Sequence, residues 1–352
     1  MKPGRPMHEY PLEDFLPLGR GSHLLKRMRV HQQLWAWHRV NRSVGQPGLR
    51  QPFPILTAAE QQDLLTSNFL TREIHTAALN TPGLSSDEHF NHVLSSLPMA
   101  INLFGFLIDP TSMSLPRTPL DQMFAGRLLT PYAPAERAHA LISALMGQPV
   151  QVSRVDFEIP GRLRIDLKKH HPLRDGTSAD ILVEYVDKNG PGLIVIETKL
   201  TEALSNGGDL LDPTRNYRQL FDSSQSPFAQ TLSAGLRDRL TADKLVQWTR
   251  NHLLAFGLEQ AGRYSSHHYW VIFPESRSDV MDAAQKYRSI LREPNVVFDA
   301  LTLEELIAAW VPLLADPSEL VWLEQFRARY VSLESSDALW TALTTKPRYA
   351  RR

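Results

Sequence analysis

Three ionisable residues stand where a strand pattern would bring them together: Asp180, Glu197 and Lys199. Glu197 and Lys199 lie two apart at the end of the apolar run Leu193-Ile-Val-Ile196, so on a strand both side chains leave from one face. Asp180 opens the preceding strand pattern, Ala179 to Val186, and Asp187-Lys-Asn-Gly-Pro-Gly192 between the two has the composition of a hairpin connection. Closing that hairpin brings Asp180 toward Glu197. An isolated carboxylate and ammonium at the end of such a strand would be expensive to bury. Grouped, the carboxylates offer the hard oxygen ligands that Mg²⁺ prefers. A cation held there polarises a phosphate and acidifies a water, while a neighbouring lysine steadies the nucleophile or the developing charge. The chemistry in view is phosphodiester hydrolysis.

An Asp at the start of one strand of a hairpin and Glu-x-Lys at the end of the next resembles the PD-(D/E)xK nuclease superfamily. Ser178-Ala179 stands where that family usually has a proline before the Asp. The string Glu197-Thr-Lys-Leu-Thr-Glu202, with Phe157-Glu158 upstream, is similar to uncharacterised bacterial restriction-endonuclease-like proteins. The resemblance implies a metal, Mg²⁺ or Mn²⁺, on Asp180, Glu197 and the Thr198 carbonyl, with Lys199 as a catalytic residue. It also implies a glutamine on the helix after the lysine strand, a place that Gln219 in Asn216-Tyr-Arg-Gln-Leu220 fits, and an additional acidic ligand at Glu158. The fold so implied is α/β, a restriction-endonuclease-like mixed β-sheet flanked by helices, with an N-terminal helical region. The function implied is a metal-dependent endonuclease acting on nucleic acid, double-stranded DNA first, in restriction or defence. Double-strand cleavage often uses two active sites, which is compatible with a homodimer. The alternative is a non-catalytic nucleic-acid-binding protein that keeps the fold.

Other residues compete for these roles. Asp166-Leu-Lys168 with Asp156 upstream repeats the same form, on an alternating strand that ends Lys-Lys-His-His. Glu158 and Glu202 equally suit salt bridges, and Gln219 equally suits a helix surface. Adjacent histidines, His170-His171 and His267-His268, point to opposite faces of a strand and do not chelate one ion. Arg162, Arg164, Lys168 and Lys169 form a basic cluster near the proposed site, suited to gripping a phosphate backbone or to a solvated strand face. Lys26, Arg27, Arg29, Arg39 and Arg42 beside Trp35 and Trp37 suit phosphate contact with base stacking, or a helix that packs its tryptophans inward.

The whole chain must position these residues. It has 352 residues, 38 Lys+Arg against 38 Asp+Glu, 42% hydrophobic and 22% charged residues, which excludes a disordered or collagen-like chain. Neutrality over the whole chain argues against nucleic-acid binding only if the charge is spread evenly, and it is not: residues 1–50 carry 9 basic against 3 acidic residues. Without cysteine there is no disulfide, cysteine-ligated metal or thiol nucleophile. The start of the chain lacks the apolar core of a secretory signal, and the longest uncharged stretch, His89 to Ile108, is too polar to span a membrane, so a cytoplasmic protein is expected. Helices are predicted over Leu24–Asn41, from a capping box at Thr57–Glu60, over Ser86–Leu107 with Pro98 as a kink, and over Pro134–Met146. Strands follow at Val155–Ile159, Leu163–Leu167, Ala179–Val186 and Leu193–Ile196. Helices at 216–223, 236–261, 279–291 and 319–330, and another carrying Glu304 and Glu305, alternate with strands at Tyr269–Phe273 and Asn295–Asp299. The division expected is residues 1–80 as a helical arm and linker (the linker at Gln46–Pro54), 81–310 as the nuclease-like domain with its core at 150–225, and 311–352 as a helical tail.

Overall fold

The computed structural model describes residues 15, 22–40, 56, 67–80, 92–109, 133–157, 171–175, 177–205 and 207–345. Helices α1 (His23–Val40), α2 (Arg72–Asn80) and α3 (Ser96–Phe104) come first. A short antiparallel pair, β1 (Ile108–Asp109) with β2 (Ala133–Pro134), leads to α4 (Glu136–Met146). The hairpin strands β3 (Gln151–Phe157), β4 (Ile181–Asp187) and β5 (Gly190–Thr198) follow. Three helices, α5 (Tyr217–Phe221), α6 (Ala234–Ala242) and α7 (Val246–Gln260), then cross to β6 (Ser266–Phe273). The chain continues through α8 (Ser278–Arg288), a short α9 (Pro294–Val297), β7 (Phe298–Thr302), α10 (Leu303–Trp310), α11 (Pro317–Tyr330) and α12 (Asp337–Thr345).

The five long strands form one sheet in the order β3-β4-β5-β6-β7. β3, β4 and β5 run antiparallel, while β6 and β7 run parallel to β5, so the sheet is mixed, as expected. Asp187 and Gly190 close the β4–β5 hairpin around Lys188-Asn189, and the Asp187 carboxylate accepts the Asn189 N–H at 2.8 Å. Gly192 lies under the Tyr185 ring: a Cβ there would stand 2.2 Å from the ring's Cζ, so no larger residue fits without displacing that ring.

Alternation along the strands sends apolar residues to two separate layers. Ile181, Val183, Ile194, Ile196, Trp270 and Ile272 join Met28 and Trp35 of α1, the apolar residues of α3, and Trp322, Phe326 and Tyr330 of α11. Leu182, Leu193, Val195, Tyr269, Val271 and Phe273 pack against α5 to α8. The first layer thus draws on residues from Met28 to Tyr330. Trp35 faces inward, with the buried Arg329 guanidinium 3.5 Å above its ring, and Arg27 pairs with Asp337 on α12. Of the two roles open to the basic arm, Trp35 takes the inward-packing one.

Several boundaries differ from expectation. Pro98 falls in the first turn of α3, behind the Ser95 cap that accepts the Leu97 N–H, and produces no kink because its missing N–H has no partner to lose there. Pro134 belongs to β2, and α4 begins at Glu136. The long helix expected over 236–261 is two, broken where Lys244 adopts a positive φ of 59°. Asn295–Val297 is a helical turn that precedes β7, because Glu293-Pro294 starts a turn before the strand register begins at Phe298. The capping box at Thr57, Asp87 and Glu88, the Gln46–Pro54 linker, the Leu163–Leu167 strand and the basic C-terminal string lie outside the described residues.

The loop that enters β4 is organised by one carboxylate. Asp175 accepts the Thr177 N–H at 2.8 Å, the Thr177 hydroxyl at 2.7 Å and the Tyr217 hydroxyl, and pairs with Arg250 at 2.8 Å. Burial alone would raise this carboxyl, but the Tyr217 and Thr177 donors and the Arg250 guanidinium overcome it and hold it down at about 2. A carboxyl depressed from about 3.8 to about 2 adds stability above its unfolded value and loses it as pH falls through 2. Asp175→Asn, which resembles the protonated carboxyl, is expected to be less stable than the unsubstituted chain by about 2 kcal/mol at pH 6. Urea titrations should show that gap closing toward pH 2; a gap independent of pH would contradict this role for Asp175.

Candidate active site

The register that pairs Ile181 with Ile196 puts Asp180, one step before β4, level with Glu197 near the end of β5. Asp180 Oδ2 accepts both the Thr198 N–H at 2.7 Å and the Thr198 hydroxyl at 2.6 Å. Those two bonds anchor the start of one strand to the end of the next. Glu197 and Lys199 share the layer that contains Leu193 and Val195, as strand parity requires, and their charged atoms meet at 2.5 Å. Both are nearly excluded from water, at 1% and 5% exposure, whereas Asp180 is half-buried at the rim. Thr198 belongs to the other face, where its hydroxyl lies 3.4 Å from the Ser96 carbonyl at the start of α3.

Two side chains from α7 complete the group. Gln247 donates to Glu197 Oε1 at 2.8 Å and accepts from Lys199 Nζ at 3.2 Å and from the Ser205 hydroxyl at 2.9 Å. Asn251 donates to the other Glu197 oxygen at 2.6 Å. Sequence reasoning missed both, although a Gln and an Asn four apart inside an otherwise buried helix was the available signal. The expected glutamine, Gln219, is exposed on α5, and among the described residues no hydrogen bond joins it to Asp180, Glu197 or Lys199. Asp180, Glu197, Thr198 and Lys199 are brought together; Glu158, Arg162, Arg164, Lys168 and Lys169 lie outside the described residues.

Glu202 acts as a clamp. Its carboxylate accepts the N–H groups of Leu200 and Thr201, each at 3.1 Å, and that of Ser96 in the first turn of α3. The fully buried Arg277 donates to the Leu200 carbonyl at 2.6 Å and the Glu202 carbonyl at 3.0 Å, while pairing with Asp279. The chain leaving Lys199 is therefore fixed on both sides. In the competing Asp-x-Lys string, Asp156 is paired with Arg154 at 2.5 Å, and Asp166 and Lys168 lie outside the described residues. His267 meets Glu259 and the His252 ring while His268 faces Tyr185, so the two do point apart.

Burial is the leading cause of the site's electrostatics. It pushes Glu197 up to about 7, opposed by Lys199 and reinforced by the Asp180 charge. It also raises Asp180, against the pull of Lys199 and the Thr198 donors. Burial works to lower the Lys199 ammonium, and Glu197, Asp180 and Glu202 together overcome it and hold the group above its ordinary value. Two carboxylates with raised affinity for a proton beside a single ammonium make a site short of positive charge. Among the described residues no three or more His, Cys, Asp or Glu are grouped to hold a metal. Two carboxylates with a neighbouring carbonyl are nonetheless a fitting set for Mg²⁺, which commonly takes one or two carboxylates and keeps water for its remaining positions. Asn251→Leu should destabilise the chain by about 2 kcal/mol in urea denaturation, because it leaves a buried carboxylate oxygen without its donor. Asn251→Asp should cost more, since it sets a further carboxylate against Glu197; equal stability of both variants with the unsubstituted chain would contradict the geometry.

The family model of the PD-(D/E)XK nuclease superfamily matches residues 21–332. No curated protein and no solved structure matches the chain. With a mixed sheet flanked by helices, and an Asp and a Glu-x-Lys meeting across its central hairpin, the chain belongs to the PD-(D/E)XK nuclease superfamily.

Proposed function

We propose that the protein is a Mg²⁺-dependent endonuclease that hydrolyses phosphodiester bonds in double-stranded DNA, in a restriction or defence role. The observation that carries this reading is the meeting of Asp180 with the end of β5, where Glu197 and Lys199 are paired out of bulk water. Asp180, Glu197 and the Thr198 carbonyl are the ligands assigned to the cation, which when bound supplies Lewis acidity and a more acidic water. Lys199 remains charged among its carboxylates and can donate to the attacking water or to a phosphate oxygen as negative charge develops. Gln247 and Asn251 hold the Glu197 carboxylate in one orientation, so that little reorganisation is needed when substrate arrives. A preference for DNA and the defence role rest on the likeness to restriction-endonuclease-like proteins.

The test is incubation of the purified chain with duplex DNA, single-stranded DNA and RNA in the presence of Mg²⁺, Mn²⁺ or a chelator. Cleavage of duplex DNA that the chelator stops and Mg²⁺ restores is expected. Asp180→Asn, Glu197→Gln and Lys199→Met should each lower the rate by about 100-fold or more, with circular dichroism unchanged. Full activity in Lys199→Met, or no cleavage by the unsubstituted chain under any of these conditions, would overturn the proposal.

A further inference from the structure

α7 projects a third polar side chain toward this region. Arg250 follows Gln247 by three residues and precedes Asn251 by one, so the three leave the helix on neighbouring positions of one side. Its guanidinium pairs with Asp175 in the loop that delivers Asp180, donates to the Gly207 carbonyl in the chain that follows Lys199, and lies 5.9 Å from the Tyr217 ring centroid. The chain at Gly207 comes so close that a Cβ on Gly207 or Gly208 would stand 3.2 Å from the guanidinium Nη1. One rigid helix therefore touches three segments: β5 through Glu197, the Asp180 loop through Asp175, and the loop carrying Ser205 through Gly207.

A buried ion pair is poor at adding net stability, since taking two charges out of water offsets most of their attraction. The side chains of Asp175 and Arg250 are 5% and 19% exposed, and Asp175 accepts further donors from Thr177 and Tyr217. What such a pair does well is fix one geometry. Four residues separate Asp175 from Asp180, and the Thr177 turn between them is closed on Asp175 itself. We propose that Arg250 is a positioning residue of the nuclease site: through Asp175 it sets the place of Asp180 against Glu197, and so the site's affinity for a divalent cation. This rests on the metal-dependent reading above.

Isothermal titration of the full chain with Mn²⁺ alone, at a temperature well below each variant's unfolding, tests it without reference to cleavage. Arg250→Lys and Asp175→Asn each keep side-chain volume, so either one that folds carries the test. Each is expected to weaken Mn²⁺ binding by about 10-fold to 100-fold, the range seen when a residue supporting metal ligands is removed. The double variant should lose no more than the weaker single, because both break the same link. A lowered unfolding temperature with unchanged Mn²⁺ affinity in both single variants would overturn the proposal and leave the nuclease reading standing. Absence of Mn²⁺ binding by the unsubstituted chain would overturn both.

Discussion

Glu197 and Lys199 share the end of β5 where water is largely excluded, with Asp180 half-buried beside them, and the surrounding elements are arranged to make that tolerable. Charges removed from water must find partners or change their protonation state. Here both happen. Asp180 takes two donors from Thr198, Glu197 takes donors from Lys199, Gln247 and Asn251, and Lys199 is held charged by its carboxylates. Even so, Glu197 sits near 7, well above an ordinary carboxyl. A region that binds protons this readily is one in which added positive charge is favourable, and that links its structure to cation chemistry.

The supporting architecture follows from this constraint. Asp180 reaches Thr198 only because the β4–β5 hairpin closes over two residues with Gly192 beneath Tyr185. α7 reaches Glu197 only because β6 runs parallel to β5, which obliges the chain to cross over the sheet between them. Arg277 and Glu202 then pin the segment leaving Lys199 to α3, so the charged end of β5 is braced from both layers. Gln247 and Asn251 are carried by a helix whose apolar residues are already committed to the second layer.

Much of this was legible before the fold. Strand parity put Glu197 and Lys199 on one face, and the composition of Asp187–Gly192 announced the turn that carries Asp180 to them. These are local signals with short reach. Gln247 and Asn251 left only the faint signal of their spacing inside a buried helix, because about 50 residues separate them from Glu197 and nothing local says which side of α7 meets β5. Gln219, nearer in sequence, is exposed on a five-residue helix. Pro134 and Asn295 misled for a related reason: a residue suited to a helix start or a strand takes its state from the pairing available to it, β1 for Pro134 and the late register of β7 for Asn295. Neutral overall charge also proved a weak guide, since buried acidic groups at the site itself count toward the 38.

The cation proposed for this protein would sit at the carboxylate-rich end of β5, between the hairpin strands. Diffraction from crystals of the unsubstituted chain soaked in Mn²⁺, with anomalous scattering recorded at the manganese edge, tests this most directly. An anomalous peak in contact with carboxylate oxygens of Asp180 and Glu197 and with the Thr198 carbonyl is expected. Saturating Mn²⁺ with no peak at those ligands, and Lys199 still paired with Glu197, would contradict it.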